Sequence, residues 1–415
     1  MSRNLGLDRS LGITITLLIL FGLVVLYSAG QTDVASFAAT GAWRRQLVWL
    51  VAGAVLASIA FRMSPRFLEW LSLPVYWLSL LLLGLTLVIG RGAGTAAGSK
   101  SWIYIGGHAI GQPAEFAKLA AVLMLARHLS GRREAPETLR DLVPACVIAG
   151  LPALLVLAQP DLGSALVFVG VLFAMLFWAG TPPSLLFLLA SPVGSLLLAF
   201  NIYSWVGWMV LLAVLLAIWR PYFWEGVAVA VTNSVMGFIA LPVWRGLAPY
   251  QQNRLLTFLN PEADPQKAGY HAIQSKVAIG SGGWFGNGYL QGPQKRLAFL
   301  PEQHTDFIFA VVGEELGFIG VLTALLLFLM LFTVLIRIAR RAGDPFTSLT
   351  VFGFLGLLFT HVFENVGMTV NVMPITGIPL PFFSYGGSFL LATAIGLGLC
   401  FRAAWDARMG GYLDI

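Results

Sequence analysis

The side chains best equipped for chemistry are acids and cations set where an apolar chain has least use for them. Residues 253–320 form the only long polar interval and hold Glu262, Asp264 and Glu302. Pro265 disfavours the α region for the residue before it, and Pro261 interrupts helix just upstream. Asp264 is therefore expected in an extended loop, and a carboxylate so placed is suited to proton transfer. It is the sharpest single candidate in the sequence.

Other charges lie inside apolar runs. Glu115 and Lys118 are spaced i, i+3, so a helix puts them on one face. Two readings stay open for them: a self-neutralising structural pair, or a pair lining a substrate cavity and available to an anionic head group. Asp161 follows Pro160 at a helix break and is equally an N-cap for the next helix. Glu314 and Glu315 lie between Gly313 and Gly317, a spacing that suits close helix contact, and one of the two should face the interior. Glu364 is a further buried acid with no partner legible in the sequence. In the polar interval, residues 270–279 place Ile273 and Val277 on one side and His271 and Gln274 on another, which predicts a short amphipathic helix carrying Lys276. Gly280-Ser281-Gly282-Gly283 then permits a tight turn. Gly98-Ser99-Lys100-Ser101 lacks the spacing of a phosphate loop, so a nucleotide site is rejected.

The elements that position these groups follow from composition. Hydrophobic residues make up 58% of the chain and charged residues 11%, a deficit that a water-soluble core of this size cannot absorb. Apolar runs of about 17–25 residues recur throughout, each long enough to cross a bilayer. The fold class is an all-α polytopic membrane protein forming a single integral membrane domain over residues 1–415, with about twelve spans. These are residues 10–29, 46–61, 73–89, 113–126, 142–158, 162–178, 184–201, 205–219, 226–243, 306–336, 346–370 and 384–401. A net charge of +6 is what membrane orientation requires and does not point to nucleic acid. Cys146 and Cys400 both sit in apolar runs and read as packed small hydrophobes. With a cytoplasmic N-terminus, the inside loops collect Arg62, Arg66, Arg127, Arg132, Arg133, Arg140, Arg220, Arg337, Arg340 and Arg341, while the short outside loops hold only Arg44, Arg45, Arg91 and Lys100. Both termini are then inside. The segments 90–112, 244–305 and 373–383 and the turn at Asp161 converge outside the cytoplasm.

In order along the chain stand Trp102-Ile103, Gln112-Pro113-Ala114-Glu115-Phe116-Ala117-Lys118 and Gln159-Pro160-Asp161-Leu162-Gly163. Next come Asn260-Pro261 with Asp264-Pro265, Ile273-Gln274-Ser275, Leu300-Pro301-Glu302 with His304-Thr305-Asp306, Glu314-Glu315-Leu316-Gly317, and Pro379-Leu380-Pro381 with Ser384-Tyr385-Gly386-Gly387-Ser388. By these motifs the chain resembles the SEDS family (shape, elongation, division, sporulation), closer to its elongation branch than to its division branch. The resemblance implies a plasma-membrane peptidoglycan glycosyltransferase that polymerises lipid II, an undecaprenyl-diphosphate-linked disaccharide-pentapeptide. It implies Asp264 as general base and an extracytoplasmic active-site loop over 244–305. The substrate-binding set it suggests is Glu115, Lys118, Lys276, Lys100, Asp161, Arg254, His304 and Gln274. A divalent cation, Mg or Mn, is an alternative source of charge for the departing diphosphate. Partners implied are a class B penicillin-binding protein and other elongation-machinery membrane proteins. Lipid II transport across the membrane is the competing reading. Such proteins usually have ten spans, so residues 184–219 look like an inserted helix pair, which leaves the sidedness of the loop unchanged. The family also tends to have a basic residue just before Trp102; here Ser101 stands there, with Lys100 one position earlier.

Overall fold

The computed structural model describes residues 8–33, 39–92, 100–105, 108–247, 252–253, 256–258, 260, 269–300 and 302–410, and it is almost entirely helical. In chain order the elements are α1 (Arg9–Ala29), α2 (Ala42–Arg62), α3 (Pro65–Ile89), the strands β1 (Ile103–Ile105) and β2 (His108–Gly111), α4 (Pro113–Ser130), α5 (Leu139–Ala158) and α6 (Leu162–Trp178). Then come α7 (Pro183–Leu198), α8 (Ile202–Trp219), α9 (Phe223–Gly246), α10 (Tyr270–Ser281), α11 (Pro293–Arg296), α12 (Ile308–Arg341), α13 (Pro345–Thr369) and α14 (Gly387–Gly410). Among the described residues, nine helices are long and apolar enough to cross a membrane, and α6 and α7 are shorter apolar helices. β1 and β2 pair antiparallel just before α4.

Helix starts are fixed by side-chain caps. Ser64 accepts from Phe67 N, Asp161 from Ser164 N and Asp344 from Thr347 N, while Thr138 and Asp141 form a capping box. The Ser64 cap explains why α3 begins at Pro65 rather than at Leu73. A proline is acceptable in a first helical turn, so Arg66 is helical and not part of a connecting turn.

The centre of the bundle is α13, of which 78% of the most apolar stretch is buried, against 6% for α8. It packs against α4, α6 and α12. Glycines permit the close crossings: a Cβ on Gly170 would lie 2.2 Å from Thr360 Oγ1, and one on Gly353 would lie 2.7 Å from Met175 Sδ. At the periphery α7, α8 and α9 pack mainly on one another. They share a polar core in which Ser195 Oγ donates to Asn233 Oδ1 (2.7 Å) and Asn233 Nδ2 donates to Ser191 Oγ (2.8 Å).

α10 forms where the polar interval predicts a short helix, but its packed side differs from the expected one. Ala272, Ser275 and Ala278 are buried, whereas Val277 is exposed and Ile273 half-buried. Small residues win because α10 lies directly on α12, where a Cβ on Gly313 would meet Ile279 at 3.0 Å. α12 is itself broken. Gly317 adopts φ 62°, ψ −159°, a region open to glycine alone. The amides of Phe318 and Ile319 donate to the carbonyls of Gly283 and Trp284, and the amides of Asn287 and Gly288 donate to those of Glu314 and Glu315. The loop thus satisfies the backbone groups that the break releases, as a low-dielectric setting demands.

Candidate active site

Three chain segments converge on a buried polar centre. Pro113 opens α4 at its first position, and Glu115 follows in the first turn, where the positive end of the helix dipole favours an acid. One turn on, Lys118 Nζ donates to Glu115 Oε1 at 2.8 Å, with both side chains buried. From α13, His361 presents Nε2 to Lys118 Nζ at 3.1 Å, and its Nδ1 lies 3.2 Å from Pro379 O. Two of the three N–H donors of the lysine are thus engaged. Asp161 caps α6 through Oδ1 and accepts from Gln112 Nε2 through Oδ2 at 3.2 Å, which places it at the mouth of α4. The sequence left capping and a site role as alternatives for Asp161; Oδ1 makes the cap, and Oδ2 holds the residue before α4. The 373–383 segment covers this centre. Asn365 Nδ2 donates to Asp306 O and Ile378 O, and Gly163 lies so close to the segment that a Cβ there would meet Ile378 Cγ1 at 2.6 Å. Glu364 is buried, and neither of its oxygens has a hydrogen-bond partner of standard geometry among the described residues.

A second charged centre lies where the loop meets α1 and α12. Lys295 Nζ donates to Glu315 Oε1 (2.8 Å) and to Ser28 Oγ (3.1 Å), and Ser28 Oγ donates to the same carboxylate at 2.6 Å. Glu314 accepts from the amides of Gln294 (2.6 Å) and Lys295 (3.2 Å), capping α11. Both glutamates are therefore buried, not one as the sequence suggests, because each binds a different part of α11. Ser28 and Lys295 are absent from the expected site set. Two adjacent acids in an apolar run do call for a cation, but nothing in their spacing names residue 295.

The remaining expected residues are dispersed. Lys100 Nζ donates to Leu87 O (3.4 Å) at the end of α3 and is exposed, so it does not join the Lys118 centre. Lys276 is exposed on α10 and Gln274 is half-buried there, and no described hydrogen bond or ion pair links either to that centre. His304 is buried beside Tyr385, whose ring carries Arg45 at 5.0 Å, and Glu302 lies 4.0 Å from its Nε2. Burial holds the His304 imidazole below its ordinary pKa; the Arg45 charge adds to this and Glu302 opposes it. Asp264 and Arg254 lie outside the described residues. Among the described residues no three His, Cys, Asp or Glu side chains gather as a metal ion needs.

The fold and site define a polytopic helical membrane protein built around a buried charged centre that is capped by loops. A family model for FtsW, RodA and SpoVE, described as a cell cycle protein, matches residues 8–212 and 201–409. The chain belongs to this family. It is 37% identical to the peptidoglycan glycosyltransferase RodA of Treponema pallidum, over 94% of this chain and 96% of the relative. It is 35% identical to the peptidoglycan glycosyltransferase MrdB of Escherichia coli, over 95% and 92%. Among solved structures it is similar to a chain of a peptidoglycan synthase complex that coordinates polymerization and crosslinking, with TM-score 0.70 and 32% identity over 97% and 98% of the two chains. The rod shape determining protein RodA of Thermus thermophilus gives TM-score 0.62 and 29% identity over 97% of each chain.

Proposed function

We propose that this protein is a peptidoglycan glycosyltransferase that polymerises lipid II during cell-wall elongation. The observation that carries the reading is the buried Lys118 centre. An ammonium held in a low-dielectric bundle by one carboxylate and one imidazole keeps a donor for an anionic group, and a departing diphosphate is such a group. In the reaction, the 4-hydroxyl oxygen of the acceptor sugar bonds to the anomeric carbon of the donor. The bond from that carbon to the lipid diphosphate breaks, and its electron pair leaves with the diphosphate. Asp264 takes the hydroxyl proton as the new bond forms. Lys118 answers the charge that builds on the leaving group, and Lys276 and Arg254, both in the 244–305 segment, are the further cations proposed for it.

About twelve crossings fit this reading, namely α1 to α9 and α12 to α14, with both termini cytoplasmic and the 244–305 loop outside. α7 and α8 coincide with the proposed inserted pair 184–219. A class B penicillin-binding protein is the proposed partner, since the chain has no transpeptidase nucleophile motif. Asp264→Asn tests the mechanism. Purified protein with its transpeptidase partner should lose glycan synthesis from labelled lipid II by about 10²–10⁴-fold, the usual cost of removing a general acid–base group. Lipid II binding should persist, and Glu262→Gln should cost much less. Near-normal glycan chains from Asp264→Asn would remove Asp264 as the base, whereas a wild type that makes no chains would return the protein to the transport reading.

A further inference from the structure

We propose that His361 is a positioning residue for Lys118, holding the ammonium in the site through one imidazole tautomer and tying it to the 373–383 segment. This deepens the glycosyltransferase reading and rests on it.

The tautomer follows from what each neighbour is able to do. Lys118 Nζ only donates, so His361 Nε2, 3.1 Å away, carries the lone pair. Pro379 O only accepts, so Nδ1, 3.2 Å from it, carries the proton. Both contacts call for the same neutral ring. The ring is fixed from its face as well, stacking on Phe389 with centroids 4.5 Å apart at 22°. The carbonyl it bonds belongs to a segment that is itself tied down. Leu380 N donates to Ser384 Oγ (2.8 Å), Ser384 Oγ donates to Thr305 O (2.6 Å), and Asn365 holds Ile378 O (2.7 Å).

Glu115 alone cannot fix the ammonium. It lies on the same helix as Lys118, and a lysine on a flexible four-carbon stem pivots about a single carboxylate contact. An acceptor from a second helix removes that freedom. His361 then acts on the reaction through Lys118, without touching the reacting atoms.

Two substitutions separate this role from packing. His361→Gln keeps an amide oxygen to accept from Lys118 and an amide N–H to donate to Pro379 O, but gives up the stack on Phe389. His361→Phe keeps the stack and the bulk but gives up both hydrogen bonds. Glycan synthesis from labelled lipid II by the purified full chain with its transpeptidase partner reads the outcome. His361→Phe should fall about 10- to 100-fold below wild type in kcat/KM, the range for losing a hydrogen bond to a charged group. His361→Gln should recover most of that loss. Equal activities, or His361→Phe the more active, would overturn the proposal. ¹⁵N-histidine spectra of the wild-type protein supply a readout that needs no variant to fold. The imidazole in through-space contact with the Phe389 ring should show a protonated Nδ1 and a bare Nε2, and the opposite tautomer also overturns the proposal. An inactive wild type would instead sink the polymerase reading, while the spectra would still judge the tautomer.

Discussion

Lys295 and Glu315 are joined at 2.8 Å inside the protein, although Lys295 belongs to the segment that precedes α12 and Glu315 to α12 itself. The lysine is the peg by which the loop enters the bundle, and Ser28 of α1 completes its shell. Lys295→Ala should destabilise the protein by about 3–5 kcal/mol, because it strands a buried carboxylate. Replacing both partners, Lys295→Met with Glu315→Leu, should recover much of that loss. Thermal melts of the detergent-purified single and double variants check this, and a double variant no better than Lys295→Ala would show that the pair is not coupled.

The Glu115–Lys118 pair gives a different outcome when exchanged. Glu115→Lys with Lys118→Glu keeps opposite charges at i, i+3, so expression and melting temperature should exceed those of either single variant. Activity should remain down by about 10²–10³-fold, because the cation has moved away from His361 and from the place where charge develops. Full polymerase activity in the exchanged protein would leave the pair a structural ion pair only.

His304 should make the protein sensitive to acid. Burial lowers its folded-state pKa, so below the ordinary histidine value of about 6.5 the unfolded state binds more protons than the folded one. Stability is therefore full above that value and declines as pH falls through it. Melting temperature measured from pH 7.5 to 5.5 should drop for the wild type and drop less for His304→Gln. Parallel curves for the two proteins would remove His304 as the cause.

Orientation is checked by single cysteines in a background lacking Cys146 and Cys400. Cysteines replacing Lys100 or Lys276, both exposed, should react with an impermeant thiol reagent in intact cells. A cysteine replacing Arg133 should not, and its modification would invert the topology.

The sequence alone determined the class of the protein. Its apolar runs are longer than a soluble core allows, and in a bilayer each must close its own backbone hydrogen bonds as helix. Local rules also carried the cap at Asp161 and the i, i+3 pairing of Glu115 with Lys118, since each depends on residues a turn apart. Contacts between distant segments were another matter. That His361 meets Lys118 across 243 positions, or that Lys295 reaches Glu315 and Ser28, depends on which helices pack together and at what rotation. Hydropathy does not specify either, because both faces of a membrane helix are apolar. α10 in the loop shows the same limit of hydropathy: its buried side is its small residues and not its most hydrophobic ones, because it lies directly on α12 at Gly313. Where lipid is as apolar as the core, closeness of approach decides which face turns inward, and only the folded bundle supplies that test.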